Sequence, residues 1–374
     1  MRVLYFFRSL AICGGIERIM VDKMNYLVSM CGYEVYMMTS DQGKHPVPYP
    51  LDEKVHLEDL DIQFHHQYLY HGLKRLFVRK WMARLFESRL SKRIQDIQPD
   101  VIVCTTANYL DINVLVKLKG GIPLVVESHS ICRQTIDHKG FRNRYTGYMY
   151  RRGLSKAQVV VSLTEDDANE WRKIYSHVVA VPNMVHLNEG TVSTLENKRV
   201  IWVGRFDYQK RPLEMVRIWE KVQPFFPDWQ LDIYGEGEQR QELEDKVCSL
   251  GINIEVHQST EHIFDCYRDS SILVSTSLFE PFGLVISEAM SCGLPVVAYD
   301  CPYGPADIIT DGVDGFLINN SDIGVFADKV CLLIENEDLR RQMGRNGIVS
   351  SQRYRPDIIM PKWIELFKQL TSVQ

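Results

Sequence analysis

Short runs of β-branched and aromatic residues alternate along this chain with segments whose apolar residues recur every three or four positions. The runs predict buried strands, and the second pattern predicts amphipathic helices. The opening run, Val3–Phe7, is followed by a loop and then by apolar positions at helical spacing from Ile16 to Cys31. Alternating strands and helices are typical of βαβ units around a parallel sheet. In the first half, further strands are predicted at residues 34–39, 101–105, 123–128, 158–163 and 178–181.

The second half of the chain begins the same order of elements again. Val200–Val203 is predicted as a strand and Leu213–Phe226 as a helix. Two such series predict an α/β protein of two Rossmann-like, doubly wound domains, an N-terminal one at 1–187 and a C-terminal one at 188–355. Ligands bind beside the carboxyl ends of such strands, so we expect a ligand-binding cleft between the domains. Further strands of this half are predicted at residues 230–234, 252–256, 271–276 and 295–299.

The length and the join agree with this division. A chain of 374 residues suits two domains of about 150–200 residues each. The join falls near residues 188–198, which are polar and rich in turn formers. Whether the last helical segment, residues 356–374, packs back on the first domain is left open by the sequence.

The net charge, the cysteines and the apolar runs indicate which partners and which cellular compartment suit the chain. A formal net charge of -5 argues against nucleic acid as a partner. The nine cysteines are scattered without a CxxC pair, which favours a reducing cytoplasm. The apolar run before Cys13 is interrupted by Arg8 and is too short for a signal peptide, whose core needs about 7–15 residues. No run of about 18 apolar residues occurs, so no membrane-spanning helix is expected.

Two loops carry groups that suit a phosphate. Gly14 and Gly15 lie between the first strand and the first helix, where a helix N-terminus favours an anion. A tight turn between strand and helix explains the two glycines equally well. In "GRFDYQKRP", Arg205 and Lys210 together suit a diphosphate, although an ordinary solvated loop has the same composition. Pro212 is predicted to open the next helix.

Two further features lie at predicted strand ends. "YGEGEQRQEL" contains Gly235, Gly237 and Arg240, but it lacks the third glycine and the acidic residue of a dinucleotide-binding motif. It is therefore predicted as a strand-to-helix loop bordering the cleft. His129 follows an apolar strand, and its position at the carboxyl end makes it a candidate, although a single histidine is more often structural.

Two glutamates lie in the apolar segment "FEPFGLVISEAMSCGLPVVAYD". Pro281 is predicted as the first helical residue, which leaves Glu280 just outside the helix and Glu288 about two turns inside it. Eight helical positions rotate by about 800°, so the two carboxylates do not form a glycosidase-like pair. Free N–H groups at residues 282–285 and the two carboxylates suit sugar hydroxyls. A helix cap and a core salt bridge are the structural alternative.

No metal site is predicted. Asp59-Leu60-Asp61 has the DxD pattern of a divalent-ion site, but it follows no predicted strand and favours a solvated loop. The histidines at 65, 66 and 71 lack helical ligand spacing with a third partner.

Residues 72–93 carry eight lysines or arginines and one acid, Glu87. Such a basic amphipathic helix suits an anionic membrane surface. A core helix with a solvated basic face is an equal alternative. The predicted apolar face consists of Leu73, Leu76, Phe77, Trp81, Leu85, Phe86 and Leu90.

Four segments together resemble the retaining GT4-type glycosyltransferases. The segment with Glu280 and Glu288 resembles the E-x7-E signature of that family, and "GRFDYQKRP" resembles its donor-phosphate loop. "CGGIER" resembles the N-terminal glycine loop, and "GPADIITDGVDGFLI" resembles a further family segment. The four occur in family order over residues 14–318. The resemblance implies a GT-B fold, with the nucleotide-sugar held mainly by the second domain and the acceptor by the first.

The resemblance also implies roles for single residues. Glu288 would bind the ribose hydroxyls, and Glu280 would hold the donor sugar. Arg205 and Lys210 would act on the leaving diphosphate in place of an obligatory metal. His129 would touch the donor sugar near the reacting carbon. The other implied donor-binding residues are Gly14 and Gly15 near the diphosphate, Gly235, Arg240 and His257 near the base, and Phe282, Gly283, Leu284 and Val285 near the sugar.

Two positions depart from the family pattern. Asp307 stands where a glutamate is usual, and Met184 stands where a glycine is common. Both concern fine specificity. The function expected is a retaining, metal-independent transferase of a sugar from a nucleotide-sugar, most simply a UDP-sugar, without another cofactor. The expected acceptor is a glycan or polyprenyl-linked molecule in surface polysaccharide synthesis, and the expected location is the cytoplasm, at the inner face of the cell membrane. A nucleotide-sugar epimerase or hydrolase and a non-catalytic binding protein remain alternatives.

Overall fold

The computed structural model describes residues 1–136 and 141–372. The described chain divides into two compact units, one of Met1–Met184 with the residues from Ile359 onward, and one of Val185–Ile358. Each unit has its own sheet and its own hydrophobic core. Within the described ranges, we find no helix long and apolar enough to cross a lipid bilayer.

The first unit is built on a seven-stranded parallel sheet of order β3-β2-β1-β4-β5-β6-β7. Its central strands are buried along their whole length, as expected where helices cover both faces of a parallel sheet. All predicted strands of this half are present. The strands are β1 (Arg2–Phe6), β2 (Glu34–Thr39), β3 (His56–Asp59), β4 (Val101–Thr105), β5 (Leu124–Glu127), β6 (Val159–Ser162) and β7 (Val178–Ala180).

Strand β3 contradicts a prediction made for the DxD segment at residues 59–61. Asp59 is the last residue of β3 and accepts hydrogen bonds from the Thr39 hydroxyl at 3.0 Å and the Gly43 amide at 2.8 Å. Leu60, the next residue, is buried. The prediction that Asp59-Leu60-Asp61 follows no strand was therefore wrong, because a four-residue edge strand with exposed polar positions lacks the apolar pattern of a buried strand. Asp61 itself is exposed and lies in the loop after β3.

In the described part of residues 1–184, six helices flank the first sheet. Asn108 and Thr164 cap two of them by accepting backbone N–H bonds, and Gly32 ends the first in the left-handed conformation. The helices are α1 (Gly15–Cys31), α2 (Gly72–Ile97), α3 (Tyr109–Leu118), α4 (Cys132–Ile136), α5 (Phe141–Leu154) and α6 (Glu165–Arg172), with a 3₁₀ turn at Phe64–Leu69.

The second unit has a six-stranded parallel sheet of order β10-β9-β8-β11-β12-β13. The sequence pattern predicted all of its strands except the edge strand β13. The strands are β8 (Arg199–Val203), β9 (Gln230–Tyr234), β10 (Ile254–His257), β11 (Ile272–Ser275), β12 (Val296–Asp300) and β13 (Gly315–Asn319).

The helices of the second unit include one that opens with Pro212, as predicted. They are α7 (Pro212–Val222), α8 (Arg240–Leu250), α9 (Ile263–Arg268), α10 (Leu284–Ser291), α11 (Gly304–Ile308), α12 (Ile323–Glu335) and α13 (Glu337–Ser351), followed by a 3₁₀ turn at Gln352–Tyr354. The last helix, α14 (Pro356–Ser372), has its residues from Ile359 onward in the first unit, where the Trp363 and Phe367 side chains are buried.

Candidate active site

The loop after β8 presents one exposed and one half-buried cation. The Arg205 side chain is mostly in solvent, where its guanidinium donates to Gln209 Oε1 at 2.8 Å and lies 3.1 Å from Asp207. Lys210 instead is half-buried and its ammonium pairs with the Glu280 carboxylate. Gln209 also donates to the Phe279 carbonyl at 3.2 Å, so the loop is fastened to the chain just before Glu280.

Glu280 is held on both its backbone and its side chain. Its amide donates to the Pro302 carbonyl at 2.7 Å, and its own carbonyl accepts from the Tyr303 and Gly304 amides at 3.0 and 2.8 Å. Its carboxylate accepts from Lys210 and, at 3.1 Å, from the Ser277 hydroxyl. The sequence treats Lys210 and Glu280 as groups for different parts of a donor, whereas the structure joins them in one ion pair.

The helix after Glu280 starts later than predicted. The first residue of α10 is Leu284, not Pro281, because Gly283 caps the helix with a φ of 111° that only glycine adopts readily. Phe282 thus lies before the helix, and the amides of Leu284 and Val285 are those at its N-terminus, where backbone donors lack partners inside the helix. Anions and hydroxyls are favoured at such a position.

Gly304 fixes this turn by close packing. A Cβ atom at Gly304 would lie 1.7 Å from the Phe282 carbonyl oxygen, so α11 is able to approach the segment only because this residue has no side chain. The Gly304 amide also donates to the backbone carbonyl of Glu280. The backbone at the start of α11 therefore holds the backbone of Glu280 and packs against Phe282.

Glu288 lies in the second turn of α10, about one turn from its start rather than the two turns predicted. Its side chain is buried and its carboxylate accepts from the Tyr267 hydroxyl at 3.3 Å. Tyr267 belongs to α9 and is fully buried. Nothing in the sequence connects Tyr267 with Glu288, because the contact depends on how α9 and α10 pack.

The two glycines after β9 allow this loop to pack closely against the loop after β8. A Cβ atom at Gly235 would lie 1.9 Å from the Gly204 carbonyl oxygen, and one at Gly237 would lie 2.4 Å from the Phe206 carbonyl oxygen. Arg240, the first residue of α8, donates back to the Gly235 carbonyl at 3.2 Å. The structure thus brings together two loops that the sequence treated as separate features.

His257 ends β10 next to these loops. Its Nε2 lies 3.0 Å from Asp232 Oδ1, and its ring stacks on Tyr234 at 4.4 Å between centroids. Among the described residues, Asp232, Glu255 and His257 are the one group whose ligand atoms are close enough to share a metal ion. The Asp232 carboxylate is already paired with the Arg199 guanidinium at 3.1 Å. The positive charge of Arg199 therefore balances the charge of this carboxylate.

In the first unit, the two predicted glycines lie at the start of α1. Gly14 is its N-terminal flanking residue and Gly15 its first residue. A cavity of about 150 Å³ lies beside them at the ends of β1 and β4. It is lined by Glu17, Arg8 and Asp111, and the last two form a bidentate ion pair at 2.9 and 3.0 Å. Sequence reasoning missed this pair, because its members lie 103 positions apart.

His129 follows β5 and is oriented by a carboxylate. Its Nε2 lies 3.0 Å from Glu127 Oε2, and Glu127 is also paired with the ammonium of Lys23. Burial raises the pKa of Glu127, but Lys23 and His129 outweigh it and bring this pKa down to about 2. The Lys23 ammonium in turn lies 4.3 Å from the centre of the Trp363 ring. Sequence reasoning did not single out Glu127. It could have done so, because Glu127 is an ionisable residue at the end of the apolar run "LVVE".

Two family models of glycosyltransferases together match nearly the whole chain. The Glycosyltransferase Family 4 model matches residues 13–189, and the Glycosyl transferases group 1 model matches residues 188–349. The amylovoran biosynthesis glycosyltransferase AmsD of Erwinia amylovora is 28% identical over 367 residues, 94% of this chain and 95% of that protein.

A further relative and a solved structure are similar to nearly the whole chain. The GalNAc-alpha-(1->4)-GalNAc-alpha-(1->3)-diNAcBac-PP-undecaprenol alpha-1,4-N-acetyl-D-galactosaminyltransferase of Campylobacter jejuni is 24% identical over 96% of both chains. The crystal structure of Anabaena HepE in complex with UDP matches 99% of this chain and 100% of that chain, with a TM-score of 0.77 and 18% identity. The structural likeness and the two parallel sheets confirm the predicted GT-B fold. The chain therefore belongs to the GT4-type glycosyltransferases, and it is a glycosyltransferase.

Proposed function

We propose that the protein transfers a sugar from a nucleotide-sugar, with retention of anomeric configuration, to a hydroxyl of a glycan or lipid-linked acceptor. The observation that supports this most is the Lys210–Glu280 ion pair beside the N-terminus of α10. A cation, a carboxylate and two backbone donors at one place match a diphosphate on one side and sugar hydroxyls on the other.

In this proposal the cations receive the leaving group. The bond between the anomeric carbon and the diphosphate oxygen breaks, and Arg205 and Lys210 stabilise the charge that develops on that oxygen. The acceptor oxygen bonds to the same face of the carbon, and its proton passes to the leaving diphosphate. No metal is obligatory, because two side-chain cations supply the electrostatic stabilisation. The predicted role of His129 near the reacting carbon remains part of this proposal.

The nucleoside is assigned to the more buried residues. Glu288 would accept from the ribose hydroxyls, and its burial beside Tyr267 holds the carboxylate in one orientation. The base would lie beside the loops that contain Gly235, Arg240 and His257. We take UDP as the nucleotide because the HepE structure is a UDP complex.

The acceptor class is inferred from the relatives. The name of the Campylobacter enzyme specifies an undecaprenol-linked glycan, and that of the Erwinia enzyme specifies amylovoran biosynthesis. We therefore propose a glycan or polyprenyl-linked acceptor in surface polysaccharide synthesis, and a cytoplasmic location at the inner face of the cell membrane.

A panel of UDP-, GDP- and ADP-sugars tests the donor by thermal shift, because a ligand that binds only the folded state raises the unfolding temperature. The donor that stabilises the protein is then incubated with acceptors, and the anomeric configuration of the product is determined by NMR. Transfer with retention is the expected result. Release of free sugar without transfer would indicate a hydrolase, a changed sugar on the nucleotide an epimerase, and an unchanged donor a binding protein.

A further inference from the structure

The first half of α2 has two apolar faces where the sequence predicted one. The inward face consists of Met82 and Phe86, which are buried in the core of the first unit, with Val78 packed against that core. Leu90 continues it in the second half of the helix. The predicted face thus divides in two: its later members pack inward, whereas its earlier members point to solvent. The helix does not need those earlier side chains for its attachment.

The outward face is apolar, large and exposed. Leu73, Phe77 and Trp81 have relative exposures of 74%, 73% and 61%, and Leu76 lies beside them. These positions are three or four residues apart and form one stripe along the helix. Tyr68 and Leu69, in the 3₁₀ turn just before α2, are exposed as well. Contiguous exposed side chains of this size mark an interaction surface rather than ordinary surface composition.

The same half-helix is strongly basic. Five cations, at positions 74, 75, 79, 80 and 84, fall between residues 72 and 86, and no acid occurs from residue 62 to residue 86. In the described part of the chain, no carboxylate forms an ion pair with any of these five. Arg75 lies 4.3 Å from the centre of the Tyr68 ring, and Lys74 lies 4.8 Å from that of Tyr70. A chain of net charge -5 thus concentrates unpaired positive charge beside an apolar stripe.

We propose that the surface formed by Tyr68, Leu69, Leu73, Leu76, Phe77, Trp81 and the five cations docks the protein on an anionic lipid bilayer. The aliphatic and aromatic side chains enter the boundary between headgroups and acyl chains, while the cations remain among the anionic headgroups. Tryptophan and tyrosine are the side chains that favour this boundary.

A second copy of the chain is a poorer occupant of this surface. A symmetric dimer through the stripe would bring each set of five cations towards the same set on its partner. Like charges at an interface oppose association, whereas anionic headgroups supply the missing negative charge. The docking surface goes beyond the proposed transfer reaction and does not depend on the site around Glu280.

Sedimentation of the full-length protein with vesicles tests the proposal. Wild-type protein is expected to bind vesicles of phosphatidylcholine and phosphatidylglycerol in equal parts, and to bind pure phosphatidylcholine much more weakly. Phe77→Ser is expected to weaken binding about tenfold, because the ring no longer enters the bilayer. Arg79→Gln and Lys80→Gln are each expected to weaken it about fivefold, which corresponds to ~1 kcal/mol per charge.

Phe225→Ser is the matched control, since Phe225 is 74% exposed in the second unit and lies far from α2 in the sequence. It should bind vesicles as the wild type does. Equal loss in Phe225→Ser and Phe77→Ser, or no binding of the wild type to the mixed vesicles, would overturn the proposal. So would a dimer in light scattering that Phe77→Ser dissolves. Sugar transfer to a water-soluble acceptor without vesicles reports the proposed function separately, and it should survive Phe77→Ser.

Discussion

Replacing Glu127 by glutamine should destabilise the first unit, because Glu127 is the shared partner of Lys23 and His129. The Glu127 carboxylate is fully buried, and Glu127→Gln would leave the buried ammonium of Lys23 without an opposite charge. Breaking a buried ion pair by removing one partner is costly.

The magnitude follows from the pKa of Glu127. A decrease from an ordinary value of 4.5 to about 2 corresponds to about 3 kcal/mol of stability. Burial lowers the pKa of Lys23, so the cost of burying this cation offsets part of that contribution. Removing both charges, as Lys23→Met with Glu127→Gln, should therefore recover most of what the single Glu127→Gln change loses.

The sign of the pH dependence is fixed by the direction of this shift. A carboxylate with a folded pKa below its unfolded pKa stabilises the protein at pH values above about 4.5, and the contribution is lost as the pH falls towards 2. Of the roughly 3 kcal/mol, about 2 kcal/mol should be lost by pH 3. The difference in stability between the wild type and Glu127→Gln should therefore shrink as the solution is acidified.

Urea unfolding of the wild type and the variants at pH 7 and at lower pH measures these effects. Glu53→Gln is the control, since Glu53 is an exposed carboxylate of the same unit. The reasoning is refuted if Glu127→Gln unfolds at the wild-type urea concentration at pH 7, or if its deficit stays constant as the pH falls.

Three further predictions concern the second unit. Glu280→Ala should lower transfer at least about 100-fold while nucleoside diphosphate binding survives, whereas Glu288→Ala should weaken nucleotide binding itself; calorimetry with UDP and a transfer assay separate the two. Lys210→Ala should lower kcat about 100-fold, and activity of the wild type should persist in EDTA; complete loss in EDTA would contradict a metal-independent site. Gly304→Ala should cost about 3 kcal/mol or more in urea unfolding, because its Cβ atom would collide with the Phe282 carbonyl, and a wild-type midpoint would argue against that contact.

The order and type of the elements were predictable because their signals are local. The buried strands β4, β5, β11 and β12 are near-continuous apolar runs, and Pro212 fixes the start of α7. The edge strand β3 escaped prediction because its positions are exposed and mostly polar. The edge strand β13 was missed although residues 316–318 form a short apolar run. The start of α10 was misplaced because proline favours a first helical turn, whereas the observed start depends on Gly283 and on contact with α11.

The candidate site was predictable only residue by residue. Arg205, Lys210, Glu280 and Glu288 were singled out by residue type and spacing, and the family match supports the class of protein. The pairing of Lys210 with Glu280 could not be predicted, because no sequence pattern links two positions 70 residues apart. Ser277 lies only three positions before Glu280 and was missed for another reason, because no motif or spacing singles out its hydroxyl.

The sequence by itself determined two α/β halves, the succession of their strands and helices, and a set of motifs typical of one glycosyltransferase family. These properties follow from short-range patterns of apolar residues, glycine, proline and charge. Only the tertiary structure decided that Lys210 pairs with Glu280 and that Glu127 joins Lys23 to His129. It also decided which apolar side of α2 faces the core, because a helix with apolar residues on two sides does not reveal from its sequence which side the rest of the fold will cover.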